Sequence, residues 1–173
     1  MAYDAFLYFD GKATNANLEV KGESTDSVFK TKAGFEVYSF SWGASNPVTI
    51  GSGKTGAGGG KVSISSFNIM KKTDAASPTM FQACCLGAHF PKVVVTLRKA
   101  GGKQETFITY EFETCFIESI QWSGSSGGDD TPTESVSIAF GKVTGKYFPQ
   151  KADGTMETTA KSFNYDMTAN THA

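Results

Sequence analysis

The sequence predicts a mainly β fold, its strands coiled into a barrel, with a single short helix laid against it. Nineteen glycines against five prolines in 173 residues, with abundant Ser and Thr, are the composition of an all-β chain with many turns. Apolar residues recur at a period of two along most of the chain, as in Val93, Val95 and Leu97, which is the mark of half-buried strands. That period slips by three residues between Ile64 and Phe67 and again between Phe140 and Val143. A step of three is a bulge or bend that returns the apolar side to the core, and two such steps favour coiled strands over a flat sandwich.

A chain that is 39% hydrophobic and 13% aromatic can bury one substantial core, so residues 1–173 are expected to form one domain. Acids (17) and bases (16) nearly cancel. No net field draws the chain to nucleic acid or to an anionic membrane. The amino end, M-A-Y-D-A-F-L-Y-F-D, lacks the basic and apolar regions of a Sec signal peptide. No apolar run is long enough for a transmembrane helix. Synthesis in a cytoplasm is expected, with any export by a route that needs no amino-terminal signal. Cys84, Cys85 and Cys115 are an odd set and no disulfide framework. Cys84 and Cys85 are expected to be reduced, half-buried packing residues.

Taken in order, Ala5, Leu7 and Phe9 form the inner side of a first strand ending near Asp10 and Gly11. A polar run follows, mostly loop, with at best a short extended piece from Leu18 to Val20. Phe35 to Gly43, F-E-V-Y-S-F-S-W-G, reads as the clearest strand, with Tyr38, Phe40 and Trp42 in the core and Phe35, Val37, Ser39 and Ser41 on the other face. Pro47 to Gly60 is a long loop with six glycines. Ser77 as N-cap, Pro78 in the first turn and Gly87 as a left-handed stop bracket the one helix, at about residues 78–86, with Met80, Phe81 and Cys84 inward. Ala100 to Lys103 is a hairpin turn into a long strand that runs toward Trp122 and carries Ile108, Tyr110 and Phe112 on one face. A strand from 133 to 149 bends at Gly141, with Val143 and Tyr147 resuming its apolar side. Phe163, Tyr165 and Met167 mark the last strand, before a frayed tail.

Four motifs suggest chemistry and fail on context. Gly51-Ser52-Gly53-Lys54-Thr55-Gly56 matches G-x-G-x-x-G, but a phosphate loop must open a helix and the next segment reads as strand. Glu111 and Glu113 share a strand face about 7 Å apart, a spacing that glycosidase carboxylates use and that outer-face acids also adopt. Cys84, Cys85 and His89 supply three of the four ligands that tetrahedral zinc needs, and the other histidine is His172 in the tail. Asp129 and Asp130 lie in a glycine-rich turn without an EF-hand spacing. No cofactor or metal is expected.

Several segments together resemble the Hcp family, the haemolysin-coregulated proteins of the bacterial type VI secretion system. They are A-Y-D-A-F-L at the start, K-G-E-S from Lys21, S-F-S-W-G from Ser39, the glycine-rich loop, S-P-T-M-F-Q-A-C and G-A-H-F-P around the helix, L-R-K-A-G-G from Leu97, G-S-S-G-G-D-D-T-P-T-E-S-V before the penultimate strand, and F-P-Q-K-A-D-G from Phe148. Their order and spacing span nearly the whole chain. The resemblance implies a β-barrel of two antiparallel sheets flanked by one helix, assembling into homohexameric rings that stack head to tail as the inner tube. It implies a structural, non-enzymatic protein, synthesised in a bacterial cytoplasm and secreted without a Sec signal peptide, that has the contractile sheath, the tip spike and secreted effectors as partners. Unlike some relatives, the chain is expected to carry no appended toxin domain after Ala173. The extended loop, Pro47, Val48, Thr49, Ile50, Gly51, Ser52, Gly53, Lys54, Thr55 and Gly56, is then the expected inter-ring contact. Ser39 and Ser41 are the expected lumen residues that touch effectors. A monomeric barrel that binds a small molecule or glycan is the alternative that the composition leaves open.

Overall fold

The computed structural model describes residues 3–50, 58–128 and 130–171. In chain order the strands are β1 (Tyr3–Asp10), β2 (Phe35–Glu36), β3 (Ser39–Ser41), β4 (Ala44–Ser45), β5 (Val48–Thr49), β6 (Gly58–Gly59), β7 (Ser63–Ile64) and β8 (Phe67–Lys72). The helix α1 (Ala76–Leu86) follows, then β9 (His89–Lys99), β10 (Thr106–Ser123), β11 (Thr133–Ala139), β12 (Lys142–Tyr147) and β13 (Lys161–Asp166). Nine strands make one antiparallel sheet in the order β2-β1-β9-β10-β11-β8-β3, with β12 beside β10 and β13 beside β12. β4 pairs with β7 and β5 with β6, forming a separate two-stranded arm. The mainly β, antiparallel, one-helix expectation holds. The sheet is not closed into a barrel by a continuous ladder. Its two ends are joined by the bent segment Phe35–Ser41, of which β2 pairs with β1 and β3 with β8.

That join corrects the reading of Phe35 to Gly43 as one strand. The Val37 N–H donates to Ala5 O at 2.9 Å and the Tyr38 N–H to Met70 O at 2.9 Å, so the chain changes partner between adjacent residues. The inward positions are Phe35, Val37, Phe40 and Trp42, a third step of three, and Tyr38 is 59% exposed instead of core. The Trp42 ring lies 5.3 Å from Tyr110 and 5.7 Å from Phe112, both edge-on, and stacks 6.1 Å from Phe163.

The two slips expected from the sequence are present. β8 starts a new inward series at Phe67 and Ile69 after Ile64 has left with the arm. β11 and β12 lie end to end along one edge of β10, from Ser123↔Thr133 to Phe116↔Ala139 and from Glu113↔Lys142 to Ile108↔Tyr147. At the joint the Gly141 N–H donates to Glu113 O at 2.9 Å, and Thr114 on β10 sits at φ 55°. A positive φ in a strand is a local bulge, and it lets burial resume at Cys115 after Phe112. Tyr147, read as inward, is exposed. Its neighbour Gly145 takes the inward place, and a Cβ there would stand 2.3 Å from the Phe163 ring.

The helix starts two residues earlier than expected, at Ala76 instead of Pro78. Ala75 is the N-cap and has no side-chain bond, while Ser77 lies inside the first turn. The free N–H groups are met by neighbours: Ala76 N–H by Asp74 Oδ1 at 3.0 Å and Ala75 N–H by Glu23 Oε2 at 3.1 Å. Gly87 is the left-handed C-cap, at φ 59°. Met80 and Ala83 are buried and Cys84 packs on the core, but Phe81 is 47% exposed and rests on Trp122 at 5.4 Å. Cys85 is exposed instead of half-buried. The tail as far as Thr171 is held by Asp166, whose Oδ1 accepts the Thr168 and Ala169 N–H groups and whose N–H donates to Thr171 O.

Charged groups within the fold join its parts. Lys71 is 1% exposed, and its ammonium donates to Glu134 Oε1 at 2.8 Å, Asp74 Oδ1 at 2.6 Å and Lys72 O at 2.7 Å. Ser77 Oγ donates to the same Glu134 oxygen at 2.8 Å. The cluster therefore fastens β8, β11 and the first turn of α1 in one place. Removing one partner strands a buried charge, at about 3–5 kcal/mol, whereas replacing both with apolar residues of similar size is neutral or better. Lys71→Met leaves the buried Glu134 carboxylate without its cation and is expected to lose about that much stability in urea unfolding; Glu134→Leu, which leaves Lys71 paired with Asp74, is expected to lose less, and the Lys71→Met/Glu134→Leu double variant to be more stable than Lys71→Met alone.

Candidate functional site: a serine face and a projecting arm

β3 puts Ser39 and Ser41 on the outer surface, and both are exposed. Register then defines their surroundings. Ser41 stands opposite Asn68, Asn68 opposite Ser137, and Ser137 opposite Ser119, while Ser39 continues through Met70 and Ser135 to Gln121. The two serines are thus the edge of a carpet four strands wide that is polar except for the exposed Met70. Within it Ser137 Oγ donates to Asn68 Oδ1 at 2.7 Å and Ser66 Oγ to Glu118 Oε2 at 2.6 Å. Neither the Ser39 nor the Ser41 hydroxyl has a side-chain partner among the described residues, so both can bond to an incoming surface. The alternation of polar residues in β8 and β11 was readable, but their meeting with Ser39 and Ser41 depends on strand order, which a single sequence does not reveal.

Of the extended loop, Pro47, Val48, Thr49 and Ile50 are described and all are exposed; Gly51, Ser52, Gly53, Lys54, Thr55 and Gly56 lie outside the described residues. Val48 pairs with Gly59 and Thr49 with Gly58. Gly59 offers no side chain opposite Val48, which is 60% exposed, and Ile50, beyond the described ladder, is 85% exposed. The arm continues into β7 and β8 on its return, and neither is a helix. The phosphate-loop reading lacks the element that would hold a phosphate.

The carboxylate pair takes part in an ion lattice. Across the outer face Asp10, Lys92, Glu113, Lys142 and Asp166 are successive cross-strand partners, with charges alternating in sign. Glu111 lies 3.3 Å from Lys146 and 3.5 Å from Lys92, and Glu113 lies 3.3 Å from Lys142. Burial pushes the Glu111 carboxyl up, but the Lys146 hydrogen bond and both ammonium charges outweigh it and hold it below the usual range. A general acid needs the opposite displacement. Around the helix, His89 pairs with the Thr14 hydroxyl, Cys84 Sγ reaches Glu118 O, and burial pushes the Cys115 thiol up to about 12. Among the described residues no group of three His, Cys, Asp or Glu side chains is placed to hold a metal ion, and no helix is long and apolar enough to cross a membrane.

Residues 6–147 match the family described as Type VI secretion system effector, Hcp. The chain belongs to the Hcp family. Hcp1 of Pseudomonas aeruginosa is 33% identical over 114 residues, covering 65% of this chain and 70% of that protein. Among solved structures, a type six secretion system protein superposes with a TM-score of 0.88 at 31% identity, covering 99% of this chain and 100% of the other. Hcp1 from Salmonella typhimurium gives 0.73 at 29% identity over the whole of both chains. As an Hcp protein the chain is a type VI secretion tube and effector protein, as its motifs imply.

A depressed Glu111 contributes stability that is present above its unfolded pKa of about 4.3 and is lost as pH falls through the lower folded value. In a carboxyl NMR titration Glu111 is expected to stay ionised to lower pH than an ordinary glutamate. A midpoint raised toward neutrality would restore the acid–base reading.

Proposed function

We propose that this chain is the ring-forming subunit of the secretion tube. Six copies close into a ring through heterologous contacts, and rings stack head to tail through contacts that do not close. Hcp proteins form ring assemblies in type VI secretion. The observation that carries the reading here is the two-stranded arm: its described strands form ladders separate from the main sheet, only its base packs against the core, through Ile64, and Val48 and Ile50 are exposed. The segment Pro47–Gly56 is assigned the inter-ring contact. The face of Ser39 and Ser41 is assigned to the lumen, where its hydroxyls bond to exported effectors. The sheath surrounds this tube and the spike sits at its tip, and the subunit leaves the cell through the machine itself. The chain works as a structural carrier, not as an enzyme.

The monomeric ligand-binding alternative requires a hollow interior. The space within the sheet is instead filled by Leu7, Phe67, Phe90, Phe112, Val95 and Ile138, each almost wholly buried.

Shortening the arm between Pro47 and Gly60 is expected to leave rings intact in size-exclusion chromatography and to abolish tubes in electron microscopy; tubes of normal length would remove the arm from this role. Ser41→Gln is expected to lower effector accumulation and export severalfold while rings persist. Unchanged cargo levels would take Ser41 out of effector contact.

A further inference from the structure

We infer that the arm's receptor is an apolar groove at the foot of the same arm, on another copy of the chain. This deepens the assignment of the arm to ring stacking and rests on it. The groove has a volume of about 470 Å³ and lies between the arm's base and the outer pair of strands, where Trp42, Val62, Ile64, Val143, Phe163 and Tyr165 line it. Phe163, half exposed, forms its open side. The chain thus carries two uncovered apolar features of complementary kind: an aliphatic pair on a narrow projection and an aromatic-walled groove.

They do not meet within one molecule. The ladders Ala44↔Ile64 and Val48↔Gly59 belong to the same arm. At about 3.3 Å per residue they hold Val48 roughly 13 Å beyond the groove's edge, and Ile50 farther still. Glycine opposite Val48 gives no cover from the arm's own second strand. An apolar projection that fits a pocket elsewhere on the same surface makes a heterologous contact, and such a contact propagates unless a rotation closes it. A second copy is therefore the occupant: it supplies both features in equal number. Burial of a Val and an Ile side chain is modest for one contact and large when repeated around a ring.

The test uses the full chain with substitutions on either side, observed by electron microscopy and by sedimentation at rising concentration with a crowding polymer. Ile50→Asp spoils the projection. Phe163→Lys spoils the groove, and Val62→Lys does so from outside any strand, which keeps the test valid if Phe163→Lys fails to fold. Each variant alone is expected to give rings that stack at least tenfold less than the unmodified protein. A mixture of the Ile50→Asp and Val62→Lys variants restores one competent pairing, so it is expected to yield ring pairs that grow no further. If Val62→Lys stacks like the unmodified protein while Ile50→Asp does not, the groove is not the receptor although the arm still makes the contact. If Ile50→Asp stacks normally, the inference falls together with the arm's assignment, and an unmodified protein that never stacks overturns it as well.

Discussion

The segment Phe35–Ser41 is the constraint on which the rest of the structure depends. It hydrogen-bonds to β1 over its first residues and to β8 over its last, and so ties the two ends of the sheet together without a continuous ladder. The change of partner at Val37 and Tyr38 inverts which residues face inward. As a result Phe40 and Trp42 enter the core, while Ser39 and Ser41 are presented outward beside Asn68 and Met70. Trp42, gripped by Tyr110, Phe112 and Phe163, then fixes the direction in which the chain leaves as the arm. Serine face and arm are successive products of one bend.

Buried charge holds what hydrophobic contact alone leaves adjustable. Around Lys71 the carboxylates of Glu134 and Asp74 join two strands and the helix start, and Glu134 Oε2 remains buried without a partner. Such a cluster contributes little net stability but penalises any other register. Arg98 does the same on the opposite side. Its guanidinium lies over the Phe6 and Phe29 rings and bonds Asp26 at 2.5 Å, bringing the long polar run back over β1. Burial raises the Asp26 carboxyl, yet the Arg98 bond and the Val28 and Phe29 N–H groups hold it below its ordinary value. Phe6, on the outer side of β1, is buried for this reason.

Much of the fold was legible because its strongest signals are local. Alternation placed β1, β9 and β10, the steps of three located the bends at Phe67 and Gly141, and Gly87 ended the helix where its left-handed φ is needed. The failures share a cause. Tyr38, Phe81 and Tyr147 are aromatic and were placed inward on local pattern, but each position is decided by which strand or helix passes nearby. Ser77 looked like a cap because its type suits one, whereas its hydroxyl serves a charge cluster formed with Glu134, far along the chain. The proposed surfaces divide the same way. Ser39 and Ser41 are proposed from a motif, and the carpet of Asn68, Ser137 and Gln121 that extends them exists only through strand order.

The described residues thus combine one packed body with a largely polar face, a charged face and a projecting arm. Near-neutral charge (−1 overall) lets like subunits approach closely. The measurement that tests this account most directly is the size and shape of the purified, unmodified protein, by sedimentation velocity with electron microscopy. The account predicts closed rings of six copies around an open centre, with the Ser39 and Ser41 face on the inner wall. A strict monomer at high concentration would contradict it.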